Sequence, residues 1–173
     1  RDKFGDRFFS GFEQSCHSCF AVEVLSRKVI EKEILSLEKI FQKTKYLVTG
    51  TNVLSSPKSA ETIFFLLKLA KKYKVKIIID LNWREVFWDY SRFSSKISKS
   101  ERFNLIKQFL HHADVLKLAK EEATLFLGHE NPLKISKEMK KSPDVIITDG
   151  KNPVEWYING LQGITKTPDS QKI

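Results

Sequence analysis

The stretch Val75-Lys76-Ile77-Ile78-Ile79-Asp80 is apolar and β-branched almost without interruption, and it closes on a carboxylate. A strand with one wet face alternates apolar and polar residues. An uninterrupted run is what a strand covered on both faces needs, and such strands belong to parallel sheets flanked by helices. The preceding sequence agrees. Tyr46-Leu47-Val48-Thr49-Gly50 is a second short apolar run, closed by glycine. Between the two lie Ile63, Leu66, Leu67 and Ala70 at helical spacing, on a face broadened by Phe64 and Phe65. Ser55-Ser56-Pro57 predicts the start of that helix, with serine as cap and proline tolerated in the first turn. Strand, helix and strand make one crossover unit, right-handed in nearly all sheets.

The unit then repeats. A helix is expected from about Lys99 to His112, carrying Phe103, Ile106, Phe109 and Leu110, before a strand at Asp114–Leu118. A short helix from near Lys120 ends at Gly128, which can take the left-handed cap conformation. Another spans Ile135 to Lys141, ahead of a strand at Val145–Thr148. Val154 to Ile158 with Asn159-Gly160 predicts a hairpin into a last antiparallel strand. The alternation argues an α/β fold with a mostly parallel sheet. Upstream, Phe8–Phe12 reads as a strand or strand end, leading through Ala21 to Phe41 into a charged helix.

The 173 residues suit one domain with a sizeable core, and no run of eighteen apolar residues offers a membrane span. The start shows neither an initiator Met nor a secretory signal, which fits an internal segment of a longer protein. Thirty Lys and Arg against 21 Asp and Glu give a formal charge of +9. The lysines, such as Lys68, Lys71, Lys72, Lys74 and Lys76, are scattered among aliphatics without a nucleic-acid-binding motif, so a solvated helix face is the expectation. Cys16 and Cys19 flank His17, but a structural zinc needs four ligands and no second cysteine pair exists. Two ordinary thiols in a reducing compartment are expected.

In sheets of this class ligands bind beyond the carboxyl ends of the strands, and three of those ends carry unusual polar residues. Asp80-Leu81-Asn82-Trp83-Arg84 follows the most apolar strand, and continues to Phe87 and Trp88. Such polar groups beside two tryptophans ask for a polar ligand or a dense hydrogen-bond network. An equal alternative has Asp80 capping the turn while Trp83 and Trp88 pack the core. The acidic residues of Lys120-Glu121-Glu122 fit the dipole of a helix start. Thr148-Asp149-Gly150-Lys151-Asn152-Pro153 is a glycine turn whose N–H groups could meet a phosphate, though a plain turn is the commoner reason for such a sequence.

The order and spacing of these pieces resemble the ribokinase/pfkB family of carbohydrate kinases, in its fructokinase-like branch. Asp80-Leu81-Asn82-Trp83-Arg84-x-x-Phe87-Trp88 resembles the family's D-x-N-x-R-x-x-(L/F)-W motif. The stretch from Asp114 through Glu122-Ala123 to Gly128 resembles its N-x-x-E-a-x-x-L-x-G block, and Asp144–Gly150 its T-x-G strand and turn. Gly5-Asp6-Arg7-Phe8-Phe9 resembles the strand that reaches into the lid. The resemblance implies a three-layer, Rossmann-like sheet, with residues 1–20 as lid-strand end and connection and 21–173 as α/β core. Homodimerisation through the lid strands would follow.

The same resemblance implies transfer of the γ-phosphate of ATP to a sugar hydroxyl, most simply that of fructose, with Mg²⁺. It puts Asn82 and Arg84 on the substrate side, Glu122 at the metal and its waters, and Thr148 and Gly150 along the nucleotide phosphates. The implied compartment is the cytoplasm, or the plastid stroma in a plant or alga. Two positions depart from the pattern: Ala119 replaces the Asn of N-x-x-E, and Pro153 stands where a second glycine of the turn is common. The family's G-A-G-D motif, with its catalytic Asp, is expected beyond residue 173, and Asp169 is not assigned to that role. The chain alone is therefore expected to show little turnover. A non-catalytic relative serving as an interaction partner, or a kinase for a sugar acid such as 2-keto-3-deoxygluconate, are the other readings; a nucleoside kinase fits the motif least.

Overall fold

The structure is a computed structural model that describes residues 26–84 and 98–168, with the side chain of Lys99 left aside. The predicted lid strand, both cysteines, Phe87, Trp88 and Asp169 lie outside the described residues. Among the described residues six strands form one sheet: β1 (Tyr46–Gly50), β2 (Lys76–Asp80), β3 (Val115–Ala119), β4 (Asp144–Asp149), β5 (Asn152–Ile158) and β6 (Leu161–Thr165). Their order in space is their order in the chain. β1 to β4 are parallel, and β5 and β6 continue antiparallel. The Asn159-Gly160 turn joins the last two with φ of 51° and 81°, the left-handed pair that a tight hairpin requires.

The connecting helices are α3 (Pro57–Lys72), α4 (Lys99–Leu110), α5 (Lys120–Leu127) and α6 (Pro132–Glu138), preceded by α1 (Arg27–Lys32) and α2 (Ile34–Lys43). The single charged helix expected up to Phe41 is thus two, broken at Glu33. Helix α4 opens with a reciprocal capping box between Ser98 and Glu101, and α5 closes on Gly128 with φ 73°. Helix α6 begins earlier than expected, because Asn131 accepts from the Lys134 amide at 2.9 Å and Pro132 takes the first turn. Ser56 sits at the cap position of α3, but the predicted capping bond is not made. Its hydroxyl is buried and has no partner among the described residues.

When strand order follows chain order, right-handed crossovers put every connecting helix on one face. The burial agrees. Ile77, Ile79, Leu116, Leu118, Val145 and Ile147 are buried in one core with Leu67, Ile106, Phe109, Phe126 and Ile135 from the helices. On the other face a register row crosses all six strands: Gly50, Asp80, Lys117, Ile146, Trp156 and Gly163. Lys117 Nζ lies 3.0 Å from Asp80 Oδ1. The Trp156 ring lies so close over Gly163 that a Cβ there would fall 2.2 Å from it. Val48 on this face is 66% exposed and Ile78 is half-buried. The expectation of a strand covered on both faces therefore holds on one face only among the described residues.

At the end of the sheet away from the strands' carboxyl ends, the His112 ring meets the edge of Phe64 at 5.8 Å. Burial first, and then Lys141, Lys71, His111 and Lys68, hold its pKa below the ordinary 6.5. The unfolded chain takes up this proton as pH falls below about 6.5 while the folded one resists. Stability should therefore fall on the acid side of that value, and His112→Gln should flatten that part of a urea-midpoint against pH curve. An unchanged curve would remove His112 as the cause.

Candidate active site

The carboxyl ends of β2, β3 and β4 emerge side by side on one end of the sheet. Adjacent strands are about 4.8 Å apart, so the exits of β2 and β4 stand about 10 Å from each other with β3 between. The β2 exit carries Asn82 and Arg84, the β3 exit leads within three residues to Glu122, and the β4 exit carries Thr148 and Gly150. All five residues singled out from the sequence thus reach the same end of one sheet.

The β2 exit is held by a dense set of bonds. Leu81 N donates to Lys117 O at 3.0 Å, extending the ladder one residue past β2. Leu81 O accepts from Thr51 twice, from its amide at 3.2 Å and its hydroxyl at 2.7 Å. Trp83 N donates to Glu122 Oε1 at 2.6 Å, and an Arg84 guanidinium nitrogen donates to Trp83 O at 2.9 Å. The Trp83 ring packs edge-on against Phe126 at 5.3 Å and Phe103 at 6.4 Å. Trp83 therefore does help to pack the core, the alternative noted for it, while Asn82 beside it is exposed and left-handed at φ 44°.

Glu122 is buried, and its carboxylate spans two exits. Its Oε2 accepts from Ala119 N at 2.8 Å, its Oε1 from Trp83 N. This is one half of a capping box, because Ala119 has no side-chain acceptor to return a bond to the helix. Ala119→Asn should supply it and raise stability by about 1 kcal/mol, roughly 2–4 °C in Tm for a domain of this size. Calorimetry decides; an unchanged or lowered Tm would mean the side chain cannot reach the first-turn amides.

Thr148 Oγ1 donates to Leu118 O at 3.3 Å. Asp149 pairs with Asn152, so Gly150-Lys151 is a two-residue hairpin, with Gly150 at φ 54°. No atom would crowd a Cβ at Gly150, so the residue is required by conformation and the space above it is open. The register between β4 and β5 slips here, leaving Pro153 and Val154 opposite Thr148. A bulge is where a strand tolerates proline, which accounts for Pro153 in place of a glycine. Lys120 Nζ lies 3.4 Å from Asp149 and 3.5 Å from Glu130, and those two carboxylates, Asp149 first, raise its pKa.

Thr51 and Lys120 were not singled out from the sequence. Thr51 directly follows β1, so the rule that picked the other strand ends marks it too. Among the described residues no group of three or more His, Cys, Asp or Glu is placed to hold a metal ion.

No protein-family profile matches the chain. A 5-dehydro-2-deoxygluconokinase of Clostridium tetani is 30% identical over 141 residues, 75% of this chain and 39% of that protein. Among solved structures, a putative ribokinase II of E. coli superposes with TM-score 0.66 at 16% identity, over 87% of this chain and 44% of that one. A fructokinase of Xylella fastidiosa with bound ATP gives TM-score 0.62 at 20% identity, over 78% and 40%. The chain thus spans about two fifths of the length of these relatives, and its fold is ribokinase-like.

Proposed function

Because the chain belongs to the ribokinase/PfkB family of carbohydrate kinases, we propose that it contributes to transfer of the γ-phosphate of ATP to a sugar hydroxyl. The observation that carries this reading is the convergence of Asn82, Arg84, Glu122, Thr148 and Gly150 at one end of the sheet. Phosphoryl transfer rests on positioning two substrates in line and offsetting charge, and two groups of residues about 10 Å apart suit that task. Asn82 and the planar donor fork of Arg84 would take the sugar side. Thr148 and the open backbone at Gly150 would lie along the nucleotide phosphates.

Mg²⁺ usually enters such sites on the nucleotide, keeping several waters and few protein ligands. The residues present fit that arrangement and not an all-protein cage. Both Glu122 oxygens already accept backbone bonds, so Glu122 would touch the ion through water. The metal, when bound, offsets charge developing on the transferred phosphoryl group.

Fructose is the acceptor implied by the motif, and fructokinases stand among the solved structures of like fold. A sugar acid is the second reading, favoured by the 5-dehydro-2-deoxygluconokinase relative. No residue described here is assigned as the catalytic base, so the chain alone should bind more readily than it turns over. Calorimetric titration of the chain with MgATP, fructose, 2-keto-3-deoxygluconate and 5-dehydro-2-deoxygluconate tests the proposal. ADP release in the presence of each sugar then ranks the acceptors. Failure to bind ATP or any of the sugars would sink the kinase reading and leave an interaction role.

A further inference from the structure

Asn82 is an exposed residue held in the left-handed region, at φ 44°, between two neighbours that are both tied down. Leu81 is fixed by three backbone-directed bonds, two of them from Thr51, which is fully buried. Trp83 is fixed by Glu122 through its amide and by Phe103 and Phe126 through its ring. Non-glycine residues enter this region at a cost, Asn at less than most, and such conformations persist only where the surroundings over-determine them. Six grips on two flanking residues make an over-determined loop, and the residue between them is exposed at the end of β2.

We propose that Thr51 and Glu122 are positioning residues that clamp Asn82 from both sides and so present its carboxamide to the acceptor sugar. The sugar's place beside Asn82 rests on the kinase reading above; the clamp itself does not. In this arrangement Glu122 works through Trp83 N, and Thr51 through Leu81 O, without touching the sugar. Tertiary bonds select the conformation, and the short polar side chain of Asn makes it affordable locally.

Two measurements on the chain separate the parts. The first determines φ of Asn82, by crystal structure or by φ-reporting NMR couplings, in Thr51→Val and Glu122→Gln. Thr51→Val keeps the shape and removes the hydroxyl, while Glu122→Gln replaces one acceptor oxygen by a donor. Relaxation of Asn82 to negative φ in either variant is expected, with faster amide exchange at Trp83 in Glu122→Gln. A left-handed Asn82 retained in both would overturn the clamp. The second is a double-mutant cycle on affinity for whichever of fructose, 2-keto-3-deoxygluconate and 5-dehydro-2-deoxygluconate the parent chain binds best. Thr51→Val should weaken binding about tenfold with Asn82 present and less than twofold in an Asn82→Gly background, where no carboxamide remains to be positioned. Equal loss in both backgrounds would reduce Thr51 to a stabilising residue and sink the positioning role. If the parent chain binds no sugar while φ relaxes as expected, the kinase reading fails and the clamp stands.

Discussion

Phe126→Ala is expected to lower the unfolding free energy by about 3–5 kcal/mol. The side chain is 1% exposed, lies in the common core, makes a tilted pair with Phe103 at 4.9 Å and meets Trp83 edge-on at 5.3 Å. Two aromatic partners add roughly 0.5–1.5 kcal/mol each beyond the area buried. Phe126 also stands four residues after Glu122 on α5, so the two share a helix face, one holding the Trp83 ring and the other its amide. The variant should therefore lower the urea midpoint without changing the slope and shift the Trp83 fluorescence toward that of a wetter indole. Phe126→Leu, which keeps most of the volume, should cost clearly less. A loss under about 1 kcal/mol would mean the site can collapse around the missing ring and that the aromatic cluster lies outside the cooperative core.

Gly50→Ala should destabilise by roughly 1–3 kcal/mol, the range for forcing a methyl into a full site. Its φ of −142° suits any residue, so the reason is not conformational. A Cβ at this position would lie 2.7 Å from the carbonyl oxygen of Asp80, and backbone cannot step aside as a side chain can. The displacement would travel at once to Leu81, whose carbonyl is shared by the amide and hydroxyl of Thr51, the residue next to Gly50. Loss of stability should thus come together with a change at Asn82. Gly50→Ser should be at least as costly. A crystal structure of Gly50→Ala with the β1–β2 register and the Thr51 bonds intact, and unchanged stability, would refute the account.

Much of the architecture was legible because it rests on local periodicity. The apolar runs, the helical spacing of Ile63, Leu67 and Ala70, the Gly128 stop and the Asn159-Gly160 turn each state their structure within a few residues. The misses share one cause: the partner lay outside the window. Glu33 is an ordinary helix former, and the break there carries no local signal. Ser56 has the chemistry of a cap, but tertiary packing turned its hydroxyl inward. Helix α6 is the exception, since Asn131-Pro132 was a readable start and the periodic residues drew attention three positions too late. At the site, the positions were readable and the couplings were not. Glu122 meets Trp83 across 39 residues and Thr51 meets Leu81 across 30, so neither bond could be inferred from spacing. Pro153 read as a defect in a glycine turn until the register slip opposite Thr148 gave it a place.

A sheet whose spatial order is its chain order has a consequence for how it comes into being. Every described strand pairs with the one made just before it, so each addition closes a loop that holds one or two described helices or is a tight turn. Loop-closure entropy grows only slowly with length, and among the described residues no pairing waits on a distant strand. Growth by accretion from β1 toward β6, in the direction of synthesis, is therefore open to the chain at low topological cost. The same property makes the sheet divisible: removing β6, or β5 and β6 together, takes away an edge and leaves the parallel ladder from β1 to β4 paired as before.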